Sequence, residues 1–348
     1  MRILILTTQT PFVRGGAEIL AEQLRETLCS AGHEAELVAI PFKWYPPERI
    51  LDQILSCRLL DLTESCGVSV DRVIGLKFPA YFIPHPNKVL WLLHQHRPAY
   101  DLWDHPLGDL INYPNGALIR DAIRHMDSQL LPQSKKIFTI SQNVSTRLKN
   151  FCNIDSQPLY HPPPDAEQFY CSADEGYIFF PSRLSKLKRQ SLVLEALAKT
   201  THPVRVRFAG SPDTPAYAEE LAGLSRMLGV GKRVEWLGQV TEKEKQLNFA
   251  HARGVVFPPL DEDYGYIPLE AMLSSKPVIT CADSGGPLEF VLNRETGLIA
   301  DPTPVSLAAA LDELWENPDR ARVWGEAGRT RYETLGVRWS TVVERLLA

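Results

Sequence analysis

The sequence predicts an α/β protein of two domains, each a parallel sheet with helices packed on it, and three observations carry that expectation. The chain has 348 residues, which corresponds to two domains of ~150 residues rather than one. Short apolar runs alternate with longer stretches of helical period, the pattern of repeated β-α units. The alternation comes as two series, and between them stands Pro162-Pro163-Pro164, which can continue neither a helix nor a central strand. Hydrophobic residues make up 44% and charged residues 23%, enough apolar matter for two cores and too much for a disordered chain.

In chain order, residues 2–7, 34–40, 71–75, 88–93 and 136–140 read as the strands of the first series. The clearest helix between them covers 16–30, with Ala17, Leu20, Ala21, Leu24 and Leu28 on one face and Gly32 as its C-terminal cap. The second series begins at 177–180 and repeats at 204–209, 233–237, 254–257, 277–280 and 298–300. An extended linker near 160–175 separates the two, giving an N-terminal domain of 1–165 and a C-terminal domain of 166–336. Many of the 27 prolines fall between Pro79 and Pro164, so long ordered loops are expected there.

Charge and cysteine usage narrow the function. The formal charge of -5, from 37 basic and 42 acidic residues, attracts neither nucleic acid nor an anionic membrane through a global field. Any anionic ligand is then held by local groups. Cys29, Cys57, Cys66, Cys152, Cys171 and Cys281 are scattered without a C-x-x-C pair, which fits buried free thiols in a reducing cytoplasm better than a zinc site or a disulfide framework. The apolar start, Ile3 to Leu6, is too short for a signal peptide, and no run is long enough for a membrane span. Peripheral contact with the cytoplasmic face of a membrane stays open.

Four stretches carry candidate chemistry. Gly15-Gly16 follows the first strand and opens a helix, where backbone can approach a ligand and free N–H groups favour an anion; a tight turn is the plain alternative. Arg183, Lys186, Lys188 and Arg189 follow the first strand of the second series, at the carboxyl end where such sheets bind ligands. They suit a diphosphate clamp or a solvated basic face. The most specific stretch is 258–272, in which Glu262 and Glu270 stand eight positions apart around Tyr264, Gly265 and Tyr266. Folded back, that loop presents both carboxylates to one cavity, as acceptors for sugar hydroxyls; otherwise Glu270 caps its helix and Glu262 faces solvent. Ser284-Gly285-Gly286 places glycines at another strand-to-helix junction.

Together, in this order, the Gly15-Gly16 pair, Arg183 and Lys188 as R-x4-K, Glu262 and Glu270 as E-x7-E, and Ser284-Gly285-Gly286 resemble the retaining glycosyltransferases of family 4. The resemblance spans nearly the whole chain. It implies a GT-B fold, two Rossmann-like domains facing one another across a cleft, with a terminal helix at about 337–348 packing back on the first. It implies that Arg183 and Lys188 bind the donor diphosphate, Glu270 the ribose and Glu262 the donor sugar, with Gly15, Gly16, Tyr264, Gly265 and Tyr266 around the donor. Family members usually have Gly after the first Glu, whereas this chain has Asp263. The resemblance also places a catalytic histidine after an N-terminal strand; His94 fits by register and His96 is the alternative. His96, Arg97 and Tyr100 form a candidate acceptor surface.

The activity so implied is transfer of a hexosyl unit from a nucleoside diphosphate sugar to a hydroxyl of a glycan, lipid or small molecule, with retention and without a cofactor. Two rivals are a GT-B nucleotide-sugar epimerase and a non-catalytic nucleotide-sugar-binding partner of another transferase. Asp261-Glu262-Asp263 is a literal D-x-D, which in the other large glycosyltransferase fold holds a divalent cation. Here it overlaps the E-x7-E element, and Arg183 and Lys188 already offer positive charge, so metal-independent chemistry is expected.

Overall fold

The triple proline is where the chain divides. In the computed structural model, which describes residues 1–348, Met1–Pro164 and Arg338–Ala348 make one unit and Asp165–Val337 the other.

The first unit runs β1 (Arg2–Gln9), α1 (Gly16–Ser30), β2 (Glu34–Pro41), α2 (Glu48–Leu59), a small hairpin of β3 (Glu64–Ser65) and β4 (Val68–Ser69), β5 (Arg72–Lys77), β6 (Lys88–His94), α3 (Gly116–Leu130), β7 (Lys136–Thr139), α4 (Gln142–Cys152) and β8 (Gln157–Pro158). Its six-stranded sheet has the order β2-β1-β5-β6-β7-β8, with every pairing parallel. Central β6 is buried from Lys88 through Leu93, because helices cover both faces of such a sheet and leave no polar side. Strand β8 was not anticipated from the sequence. It is two residues long and ends in Pro158, which an edge position tolerates. The proline-rich region holds two helices as well as long loops: residues 78–87 and 95–115 carry only 3-10 turns, at Ala80–Phe82, Arg97–Ala99 and Leu110–Asn112.

The second unit runs β9 (Ile178–Pro181), α5 (Gln190–Leu197), β10 (Val206–Ala209), α6 (Pro215–Met227), β11 (Val234–Gly238), α7 (Glu242–His251), β12 (Gly254–Val256), α8 (Tyr266–Leu273), β13 (Val278–Cys281), β14 (Gly297–Ala300), α9 (Pro304–Glu316) and α10 (Pro318–Leu335). The sheet order is β11-β10-β9-β12-β13-β14, again all parallel. Phe179, Phe180, Phe208, Phe249 and Phe257 are sealed inside it. Thr214 and Thr303 cap α6 and α9 with their hydroxyls, and Thr241 with Glu244 forms a reciprocal capping box on α7.

The final helix, α11 (Trp339–Leu347), belongs to the first unit. Val342 and Leu346 are fully buried there, each worth roughly 1.5–3 kcal/mol of apolar burial. Trp339 stacks on His161 at 5.9 Å and meets Trp91 edge-on at 6.2 Å, and Arg72 donates to the Leu346 carbonyl at 2.6 Å.

Both sheets reverse their winding once. In the second unit the reversal lies between β9 and β12, and in the first between β1 and β5. A crevice opens outside the carboxyl ends of strands at such a switch point, because the loops on either side lead away in opposite directions. The R-x4-K loop leaves β9 and the E-x7-E loop leaves β12; the Gly15-Gly16 loop leaves β1.

The six cysteines are free thiols, but only Cys57 and Cys281 are buried; Cys29, Cys66 and Cys171 are exposed, which corrects the expectation of burial for those three. No helix is long and apolar enough to cross a membrane.

Candidate functional site

In the second unit three loops converge at the switch point. Backbone hydrogen bonds run from the Leu260 N–H to the Leu187 carbonyl at 2.8 Å, from Asp261 to Asp283 at 2.9 Å, from Glu262 to Ser284 at 2.9 Å, and from Gly286 back to Glu262 at 2.8 Å. The R-x4-K, E-x7-E and Ser284-Gly285-Gly286 segments thus form one cradle. Three glycines are required there. Gly265 and Gly285 have φ +83° and +68°, and a Cβ on Gly286 would stand 2.5 Å from the Tyr264 carbonyl oxygen.

Lys188 donates to the Glu262 carboxylate, and its ammonium also lies 5.4 Å over the Phe257 ring. Glu262 sits six residues beyond β12 in the loop, not at the strand end, and is neither fully buried nor solvent-facing. Arg183 and Lys186 are the exposed cations of this segment, and Arg183 pairs with Asp213 at 3.1 Å. Its loop is pinned by buried Gln190, which donates to the Arg183 carbonyl at 3.0 Å and accepts from the Ser185 N–H at 3.3 Å.

Glu270 is 3% exposed and accepts from Lys245 of α7 at 2.9 Å. It is not a cap: Gly265 is the N-cap of α8. Burial pushes its carboxyl up from the ordinary range, against the opposing pull of Lys245. Burial would depress the Lys245 ammonium, but Glu270 and Glu242 outweigh that and hold it raised. Each of the two therefore depends on the other to offset its burial. The two carboxylates of E-x7-E thus have different lysines and different depths. Tyr264 is a core residue packed on Phe290 at 5.4 Å, so its ring supports the loop from behind; Tyr266 opens α8 and meets Tyr264 edge-on at 5.8 Å.

In the first unit, Gly15 is the N-cap of α1, and its N–H donates to Glu18 at 2.8 Å. The Glu18 carboxylate also takes Lys77 of β5 at 3.1 Å. The anion at this helix start is thus a side chain of the protein, and the expectation of free N–H groups is corrected for Gly15, while Gly16 is the first residue of the helix. His94 is the last residue of β6, and its Nδ1 lies 2.6 Å from the Gln95 carbonyl. A carbonyl only accepts, so Nδ1 carries a proton and donates it there. His96 packs against Phe78 at 5.1 Å and Phe42 at 6.2 Å; burial, with a smaller contribution from His94, pushes its pKa down to about 3.

The candidate acceptor surface is rearranged by the structure. Arg97 is held by Asp101 at 2.6 Å. Tyr100 is buried, and its hydroxyl donates to Asp127 at 2.6 Å. Asp127 is fully buried and also accepts from Tyr81 at 2.9 Å and Gln95 at 2.9 Å; burial lifts it to about 6. The mixture of aromatic and polar groups at 97–104 is thus in part a core network. A hollow of about 550 Å³ lies at the carboxyl ends of β1 and β2, lined by Phe42, Trp44, Tyr45, Lys43, Arg49 and Gln53 among others. Sequence reasoning missed it, together with Lys245 and Gln190. Only the aromatic run Phe42-Lys43-Trp44-Tyr45 directly after a strand signalled it.

Residues 166–331 match the family model described as glycosyl transferases group 1. The alpha-1,3/1,6-mannosyltransferase ALG2 of Dictyostelium discoideum is 29% identical over 60% of this chain and 54% of its own length. The alpha-maltose-1-phosphate synthase of Mycolicibacterium smegmatis is 32% identical over 49% of this chain and 46% of its own. The chain spans about half the length of these curated relatives, or less. Among solved structures, the sucrose-phosphate synthase of Thermosynechococcus elongatus superposes with a TM-score of 0.78 at 16% identity, covering 99% of this chain and 97% of that one. WaaG, a glycosyltransferase of lipopolysaccharide biosynthesis, gives 0.73 at 16% identity, covering 99% and 98%. With two six-stranded parallel sheets and their helices, the fold is GT-B.

Proposed function

From a chain whose C-terminal unit belongs to the group 1 glycosyl transferases, we propose a retaining hexosyltransferase that moves a sugar from a nucleoside diphosphate to an acceptor hydroxyl. The observation that carries this reading is the cradle of the second unit, in which Lys188, Glu262 and the Gly285-Gly286 turn meet at the carboxyl edge of the sheet. Arg183 and Lys188 take the diphosphate, whose negative charge grows as the bond to the sugar breaks. Glu270 takes the ribose hydroxyls and Glu262 those of the donor sugar. Gly265 and Gly286 let backbone N–H groups approach the phosphates.

His94 is the residue of the first unit that we assign to the sugar. With Nδ1 bonded to the Gln95 carbonyl, the ring keeps Nε2 for a hydrogen bond to the donor sugar. Retention follows from a front-face path in which the departing diphosphate oxygen helps accept the proton of the incoming hydroxyl. No cofactor or metal enters this scheme. The acceptor, a glycan, lipid or small molecule, fits the aromatic hollow at Trp44 and Tyr45 better than Tyr100. Work at the cytoplasmic face of a membrane is compatible with exposed Phe12, Trp44 and Tyr45.

The test is incubation with radiolabelled UDP-, GDP- and ADP-hexoses and an extract of cell lipid and polysaccharide. A labelled conjugate is the expected product. An isomerised donor would instead make the chain an epimerase, and a donor bound but unchanged would make it a binding protein.

A further inference from the structure

We propose that Arg189 is a positioning residue of the donor site: its guanidinium locks the three ligand-bearing loops in one register and thereby sets the Lys188 and Glu262 pair. The inference rests on the donor-site reading above. Arg189 directly follows Lys188 and has φ +57°, in the left-handed region where a side chain with Cβ is strained and glycine is not. A large side chain kept at such a position has a compensating role.

The compensation is visible in its contacts. The Arg189 Nε donates to the Pro258 carbonyl at 2.7 Å and Nη2 to the Pro259 carbonyl at 2.6 Å. Nη1 and Nη2 bond the two carboxylate oxygens of Asp283 at 2.8 and 2.6 Å. The backbone of Arg189 lies after β9, the two carbonyls lie after β12, and Asp283 lies after β13. One planar group thus spans all three loops, and its contacts sit between the places where Lys188 and Glu262 depart. The side chain is 16% exposed, so these bonds are largely shielded from water. With four of its five N–H donors committed to the loops, Arg189 acts through Lys188 and Glu262 and not on the leaving group. Lysine could not replace it, because a point charge cannot meet two carbonyls and a bidentate carboxylate in one plane.

Arg189→Gly separates clamp from fold, since glycine suits the backbone angle while removing the fork. The full-length variant is expected to fold, by circular dichroism. Its turnover number should fall about tenfold to a hundredfold, the scale of a small misplacement of reacting groups, with the donor KM changed less than about threefold. Arg189→Lys should also stay at least about threefold below wild type, because restored charge does not restore geometry. Amide exchange at Leu260, Asp261, Glu262 and Gly286 should accelerate in Arg189→Gly, a readout that needs no substrate. Asp283→Asn should behave alike, and the double variant should be no worse than Arg189→Gly alone, because one clamp is lost in each. Unchanged exchange, wild-type turnover in Arg189→Gly, or full rescue by lysine would each overturn the proposal. If wild-type protein transfers no sugar while the exchange changes appear, the donor-site reading fails and the clamp stands.

Discussion

Lys188 donates to the carboxylate of Glu262, a contact between residues 74 positions apart that joins the R-x4-K and E-x7-E segments. The same ammonium is assigned to the donor diphosphate, so the carboxylate competes with the phosphates for it. Removing that competitor has a direction. Glu262→Gln should leave nucleoside diphosphate affinity equal to or above that of wild type while transfer falls, because Lys188 is released but the donor sugar loses a charged acceptor worth roughly 1.5–3 kcal/mol. Calorimetry with UDP and GDP beside a transfer assay checks this. A parallel loss of nucleotide affinity in Glu262→Gln would place that carboxylate on the nucleotide instead.

Glu270 responds differently because it is buried and has its own lysine. Glu270→Gln should weaken nucleoside diphosphate binding by about tenfold, one charged hydrogen bond to the ribose. It should also lower thermal stability, since Lys245 then keeps only Glu242, at 2.6 Å, in place of two carboxylates. Lys245→Met should destabilise in turn, leaving a buried carboxylate unpaired. A Glu270→Gln variant with full nucleotide affinity and a lowered melting temperature would reduce Glu270 to a structural role.

How much of this was legible follows from the range of each interaction. The central strands could be read because a sheet covered on both faces needs continuous apolar runs, as in Val89 to Leu93. Edge strand β8, with two residues and a proline, carries no such signal. Arg183, Lys188, Glu262 and Glu270 stood out because their spacings are local. The bond of Arg189 to Asp283 spans 94 positions, and nothing in either neighbourhood announces it. Tyr100 misled for a chemical reason: a buried network around Asp127 and a sugar site both draw on aromatic rings beside polar groups.

The first unit should be acid-labile, with a sign set by groups whose titration is shifted by burial or partial burial. His96 and His161 are both pushed down to about 3 by burial. Unfolded histidine binds a proton near pH 6.5, so the stability these residues allow is lost as pH falls from 6.5 toward 3, by about 1.4 kcal/mol per pH unit for each. Asp127, lifted by burial to about 6, acts oppositely between pH 6 and 4, because there the folded state holds the extra proton. The two histidines outweigh the one carboxyl. His96→Phe, whose ring can pack against Phe42 and Phe78, should remove one histidine's share of the slope. Urea unfolding followed by tryptophan fluorescence between pH 7 and 4 measures it; an unchanged slope would mean that His96 is protonated in the folded unit.

Metal independence is the remaining expectation, and the geometry of the carboxylates bears on it. In Asp261-Glu262-Asp263 the central carboxylate takes the Lys188 ammonium, and Asp261 stands at φ +43° with its N–H on the Asp283 carbonyl. Asp283, the nearest further acid in the cradle, is committed to Arg189. No three acidic, histidine or cysteine side chains converge as metal ligands would. A hard divalent cation takes several oxygen ligands and would have to draw Glu262 away from Lys188. The diphosphate can instead be neutralised by Lys188, Arg183 and backbone N–H groups, and those charges are fixed before the donor arrives. We therefore expect metal-stripped protein in excess EDTA to keep transfer within about twofold of its untreated rate, and Asp261→Asn and Asp263→Asn to remain active. Loss of transfer in EDTA with recovery on added magnesium or manganese, together with inactivity of both aspartate variants, would move the diphosphate from Lys188 and Arg183 onto a cation held by the D-x-D.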